Sequence, residues 1–280
     1  VHLTLRATLV CLLLATGCAR ERASPGATQS PAPSAATDPS PNATPPAASQ
    51  AAASPLPLPP TTPAATPAPT LSQLLPGLRV DAASRTIELD ATVAIDASKR
   101  VFLEVLVCTP DTREHETILV TKVTPSQVHA AMLAAGLSPG APGSWRFEGQ
   151  RLVGVAPTGD AIEVLVRAAG GGDVQAQHAT EHAIASWVIS ARDGTRLSDR
   201  PTEGWVFAGS SFGDRGGTRV YRADGEGTLV GLSAFGFETI AWTGMYHPDS
   251  AQMTPDWIAD GSRVPSRGER VVVVIRGAKR

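Results

Sequence analysis

Ile87-Glu-Leu-Asp-Ala-Thr-Val-Ala-Ile95 sets an apolar residue at every odd position and a polar one at most even positions. A period of two predicts a strand with one wet face. After the polar turn Asp96 to Arg100 comes Val101-Phe-Leu-Glu-Val-Leu-Val-Cys108. This run is apolar on both faces except at Glu104, the pattern of a central strand. Thr117 to Val123 predicts a third strand, and the short connections favour antiparallel pairing. A helix follows at once. Thr124-Pro125-Ser126-Gln127 combines an N-cap threonine, a proline at the first helical position and a capping-box glutamine. Val128, Ala131, Met132 and Ala135 then form one buried stripe, and Gly136 supplies the left-handed stop.

Beyond a Gly/Pro loop from Ser138 to Gly143, strands are predicted at Ala161–Ala168, Trp205–Ser210 and Thr228–Phe235. Arg270-Val-Val-Val-Val-Ile275 closes the pattern as a buried strand, and the segment around Trp187 fits helix or strand. The alternating βαβ rhythm of a dinucleotide fold is missing. The expectation is a single α+β domain over residues 71–280, dominated by antiparallel sheet with one or two helices.

Upstream, the composition changes. Fourteen of the 24 prolines lie between Pro25 and Pro69, and Asp38 is the only charged residue from Ser24 to Thr70. A Pro, Ala, Ser and Thr segment has too little apolar surface to offset the entropy of ordering it, so residues 19–70 are expected to be a disordered, semi-stiff tether. Residues 1–18 read as a lipoprotein signal peptide, and Val1 fits an alternative start codon. Arg6 precedes the apolar run Ala7 to Ala15, far shorter than the ~20 residues of a membrane span. The run ends in Ala15-Thr16-Gly17-Cys18, small residues before a cysteine whose thiol would accept the lipid. The expected localisation is the cell envelope outside the cytoplasm, with the membrane engaged through lipidated Cys18.

Residues 71–280 carry 21 Lys plus Arg against 24 Asp plus Glu. That acidic balance argues against nucleic acid as a partner. Cys11 leaves with the signal and Cys18 takes the lipid, so Cys108 is the one folded cysteine. A disulfide within the domain and a four-cysteine zinc or iron–sulfur site are excluded. No cofactor is expected.

Several of these segments together resemble the YdjY-type domain. They are the central strand, Arg113-Glu-His-Glu-Thr117, the helix through Leu137 with Pro139-Gly140, Trp205-Val-Phe-Ala-Gly-Ser210, Ala223-Asp-Gly-Glu-Gly227 and Ser233-x-Phe235-Gly236. The resemblance covers Leu74 to Ile275 and implies an exported lipoprotein of the kind common in planctomycetes and related bacteria. It implies no particular activity. The ferredoxin-like role sometimes coupled to the family name conflicts with the cysteine count.

Three clusters could carry chemistry. Cys108 with His115 and Glu116 has the residue types of a thiol nucleophile, its base and an orienting acid, although a lone cysteine is usually core packing. With His129 added the same residues could ligate a metal, in a spacing that matches no zinc pattern. His178-Ala-Thr-Glu181-His182 matches the inverted zincin pattern, which requires a helix and a third ligand. Asp224-Gly-Glu-Gly227 reads as a tight hairpin turn rather than a calcium loop. Five tryptophans could line a sugar or peptide groove, with core packing as their default. The expectation for function is a domain that binds an envelope component or partner protein. The alternative is an envelope hydrolase or transferase using Cys108 with His115.

Overall fold

The computed structural model describes residues 71–170 and 180–278. The signal, lipidation and tether expected over residues 1–70 lie outside them. The chain begins with β1 (Ser72–Leu75), β2 (Leu78–Asp81), β3 (Thr86–Val93), β4 (Val105–Cys108) and β5 (Leu119–Val120), then α1 (Pro125–Ala134). Next come β6 (Ser144–Glu148), β7 (Arg151–Val155), β8 (Ala161–Ala168), β9 (His182–Ala183) and β10 (Val188–Ser190). After β11 (Trp205–Phe207), the hairpin β12 (Phe212–Arg215) and β13 (Thr218–Tyr221) leads to the one-turn α2 (Arg222–Glu226). The last strands are β14 (Thr228–Ser233), β15 (Ile240–Tyr246), β16 (Trp257–Ala259) and β17 (Arg270–Gly277).

Strands β3, β17, β8, β11, β15, β14, β4 and β5 pair in that order, and β5 returns to β3, closing an eight-stranded barrel. Closure leaves no open sheet edge along this circuit. The side-chain period explains what is inside. Ile87, Leu89 and Ala91 of β3, Val271, Val273 and Ile275 of β17, and Ile162, Val164 and Val166 of β8 join one core cluster. The alternate residues, among them Glu88, Val274 and Arg167, lie on the outer face of the same strands. Strand β17 holds the long registers, from Thr92 to Thr86 on one side and from Ala168 to Ile162 on the other.

The domain is single and sheet-dominated, as the alternation predicts. The α+β expectation needs correction in two respects. Helix among the described residues amounts to α1, the five residues of α2 and short 3-10 turns, beside a closed barrel. The antiparallel pairing expected between the second and third predicted strands is parallel, Val107 with Leu119 and Cys108 with Val120. The chain passes through the 3-10 turn Glu114–Glu116 before reaching β5, and β4 takes its antiparallel partner from β14. A second parallel pair joins β14 to β15.

Helix α1 forms for the local reasons its sequence gives. Thr124 Oγ1 accepts from the Gln127 amide at 3.4 Å, and Gln127 Oε1 accepts from the Thr124 amide at 3.0 Å, a complete capping box. Gly136 takes φ 74°, which lets the Leu137 amide reach the Met132 carbonyl at 3.0 Å and end the helix. Val128, Ala131 and Met132 are fully buried in the core. Asp224 to Gly227 is not a hairpin turn: its first three residues belong to α2, and Gly227 at φ 70° stops that turn before β14. The segment at Trp187 is a 3-10 turn, Ile184–Trp187, that runs directly into β10.

Candidate functional site

Strands β14 and β15 run parallel, so both finish at one end of the barrel, and β4, antiparallel to β14, begins there. A cleft of about 220 Å³ opens at that end. Its floor is Leu103 and Glu104 before β4, Ser233 at the end of β14 and Tyr246 at the end of β15. Strand β16 is fixed beside it by the hydrogen bond from the Leu103 amide to the Trp257 carbonyl, 2.9 Å. The 253–256 loop forms the rim, and Arg192 and Arg200 reach in from the chain after β10.

The aromatic wall is held from behind by Glu203. Its Oε2 accepts from Trp242 Nε1 at 2.7 Å and from the Tyr246 hydroxyl at 3.0 Å, and its Oε1 pairs with Arg200 at 3.3 Å. A Cβ on Gly244 would collide with that Oε2, so a side chain there would displace the anchor. Burial, reinforced by the charge of Glu203, pushes the Tyr246 phenol well above its ordinary range, so it stays a hydroxyl. Arg200 lies 5.1 Å from the Trp257 ring centroid, and Tyr246 meets the same indole edge-on at 5.4 Å.

Glu104 joins the cleft to a charged cluster. Arg113 Nη1 binds Glu116 Oε1 at 2.6 Å and stands 3.8 Å from Glu104 Oε2. The guanidinium also covers Phe235 at 4.3 Å. Burial first, then the charge and hydrogen bond of Glu116, raise the Glu104 carboxyl to about 7, against the pull of Arg113. Two neighbouring carboxyls therefore share a site that resists holding both charges. A carboxylate on an otherwise apolar strand must reach water or find a cation; Glu104 does both, lining the cleft and facing Arg113.

The cysteine cluster is arranged differently from a nucleophile and base. Cys108 is fully buried, and burial pushes its thiol up. The hydrogen-bonding groups about its sulfur are Thr112, Thr117 and the Arg113 amide. The His115 side chain is 77% exposed, with Nε2 3.7 Å from Glu116 Oε2. Glu116 belongs with Arg113 and Glu104. His129 is half-buried between Phe207 and Tyr221, its Nδ1 3.0 Å from the Tyr221 hydroxyl, and burial lowers its pKa. Among the described residues no three His, Cys, Asp or Glu side chains gather as a metal set.

The inverted zincin pattern lies only partly among the described residues. His178 lies outside the described residues, but His182 belongs to a strand paired with Val166, and Glu181 binds Arg276 with both oxygens at 3.3 and 3.0 Å. Four of the five tryptophans, Trp187, Trp205, Trp242 and Trp257, are no more than 5% exposed. Trp145 is half-buried; its Nε1 donates to the Ala234 carbonyl at 3.1 Å and its ring centroid lies 4.8 Å from that of His247. They are chiefly core residues, and Trp257 alone joins the cleft lining.

With that geometry established, the YdjY domain family model matches residues 78–276, more than half of the chain. The chain belongs to the YdjY domain family. The match reaches every strand of the barrel, stopping one residue short of the end of β17, and includes all residues of the cleft. No curated protein and no solved structure matches the chain.

Most cleft residues of this YdjY domain carry no sequence signal. Arg192 and Arg200 sit in irregular chain on either side of the short turn Leu197–Asp199, and Tyr246 ends, and His247 follows, a strand that alternation does not reveal. Glu104 is the exception, since a lone carboxylate in Val101–Cys108 breaks an apolar run.

Proposed function

We propose that this domain is a binding module of the cell envelope, held outside the cytoplasm through lipidated Cys18, and that its ligand occupies the cleft between Arg192 and Arg200. The observation that carries the reading is the cleft itself. It is a concave site with an aromatic wall braced by Glu203 and a few convergent polar groups, the usual form of a small-molecule site. Binding rather than catalysis is favoured because the Cys108 thiol is sealed in the core while the imidazole nearest to it in sequence, His115, faces outward.

The test uses the full chain with the small molecules dialysed from an envelope fraction. A ligand at a hundredfold excess over its Kd stabilises by ~2.7 kcal/mol, a rise of roughly 5–10 °C in Tm for a domain of this size. That rise should vanish in the Arg192→Ala/Arg200→Ala variant. An equal rise in both proteins would move the ligand elsewhere, and no rise with any fraction would end the reading. The anchor is tested separately: Cys18→Ser should abolish labelling with a radioactive fatty acid, and persistent labelling would refute it.

A further inference from the structure

The arginines around the cleft differ in one respect. Arg196 pairs with Asp260 at 3.6 Å and Arg200 with Glu203 at 3.3 Å, whereas Arg192 is exposed and forms no ion pair among the described residues. The cleft thus offers one guanidinium fork that no carboxylate holds at ion-pair distance, with Asp193 close enough only to feel its charge, a geometry suited to planar oxyanions. Its volume, about 220 Å³, falls below the ~300–1,000 Å³ of sites for drug-sized ligands, so the occupant is about one ring in size. Tyr246, Met253 and Pro255 give that ring an apolar wall, and Ser233 and Thr254 give it hydroxyl partners.

We infer that the cleft takes an acidic sugar, a single ring bearing one carboxylate, and takes it up together with a proton on Glu104. This rests on the reading of the cleft as the binding site. The proton follows from what faces Glu104. Arg113 and Glu116 stand behind it, and across the cleft are Arg192, Arg200, His247 and Asp256, with Asp193 and Glu203 beside the two arginines. An incoming carboxylate meets Asp256 and, when ionised, Glu104. A protonated Glu104 removes that repulsion and donates an O–H to a ligand oxygen. A dianionic phosphate would bring a second charge for which no unpaired arginine remains.

Because Glu104 titrates at about 7, binding confined to its protonated form weakens as pH rises. The competent fraction falls from about nine-tenths at pH 6 to about one-tenth at pH 8, so affinity falls roughly tenfold.

Calorimetry of the full chain with glucuronate at pH 6 and pH 8 reads this directly, with glucose and inorganic phosphate as comparison probes. Glucuronate should bind at pH 6 and roughly tenfold more weakly at pH 8, with close to one proton taken up per ligand at pH 8 in buffers of different ionisation enthalpy. Glu104→Gln should lose the pH dependence, His247→Gln should retain it, and Arg192→Ala should lose binding at least tenfold. If Glu104→Gln fails to fold, the proton count of the unmodified protein decides alone. Equal binding of glucose, stronger binding of phosphate, no proton uptake, or a pH dependence that disappears with His247 would each overturn the inference. If no probe binds while the envelope fraction still stabilises the protein, the inference fails and the binding-module reading stands. If neither occurs, both fall.

Discussion

Glu88 and Arg167 form the most deeply buried ion pair among the described residues, on the outer face of β3 and β8 rather than in the barrel core. Their side chains are 3% and 8% exposed, and Arg167 Nη2 lies 2.9 Å from Glu88 Oε1. The second oxygen of Glu88 accepts from Arg79 Nε at 3.1 Å, and Arg79 Nη2 donates to Asp90 Oδ1 at 2.8 Å. Replacing Glu88 with Leu leaves the Arg167 cation buried without a carboxylate, and its Nε already has no partner. Breaking a buried pair from one side costs about 3–5 kcal/mol, a large part of a total stability of about 5–15 kcal/mol. Arg79 keeps the more exposed Asp90, so its lost contact adds only about 0–1 kcal/mol. Glu88→Leu with Arg167→Met removes both charges and fills the space with apolar atoms, and this double variant should return to within about 1 kcal/mol of the parent. Urea unfolding followed by tryptophan emission measures all three proteins, since four buried indoles move to water on unfolding. A loss below about 1 kcal/mol for Glu88→Leu, or a double variant as unstable as the single one, would refute the argument that the buried charge dominates.

Thr124→Ala should cost about 1 kcal/mol by removing one half of the capping box, checked by the same unfolding curves. Cys108 should react slowly with thiol reagents at neutral pH and at once in denaturant; fast labelling of the native protein would show its strand to be open. Glu104, raised in the folded protein from 4.5 to about 7, contributes stability that is fully present below about 4.5 and lost as pH rises through about 7. The full shift corresponds to about 3 kcal/mol, and partial solvent contact reduces the expected loss to about 1–2 kcal/mol. Glu104→Gln should flatten that slope in melts taken from pH 4 to 8, and an unchanged slope would assign it to another group.

The legible parts of the fold are those in which a local rule decides. β8 runs over Ala161–Ala168, as its alternation predicts, and α1 starts and stops at its cap and its glycine. The central strand is shorter than its apolar run. Phe102 makes only an isolated bridge to Ile258, and β14 shifts register twice against β4. A period of two is therefore lost along β4, where the sequence neighbours Leu106 and Val107 both join the core cluster. Barrel closure was not legible because it depends on a two-residue strand, Leu119–Val120, pairing on both sides. β15 gives no strand signal because its sequence, Ile-Ala-Trp-Thr-Gly-Met-Tyr, lacks clear alternation and contains the glycine that Glu203 requires. The candidate site was legible at Glu104 alone. Its other members come from loops brought together by the barrel's end, and no spacing in the sequence encodes that meeting.

The position of β17 also dictates when the barrel can assemble. Thr86 pairs with Arg276, and the same strand pairs with Ile162 on its other side, so two of the longest ladders join parts of the chain that are far apart in sequence. During synthesis β3 and β8 are made early and stay without their shared neighbour until Arg270–Gly277 has left the ribosome. Such a chain has high contact order and folds slowly, with two strand edges exposed in the interval. Assembly thus waits on the last strand of the barrel circuit to be made, and a chaperone that shields β3 and β8 until then would act on the step at which this protein is most prone to aggregate.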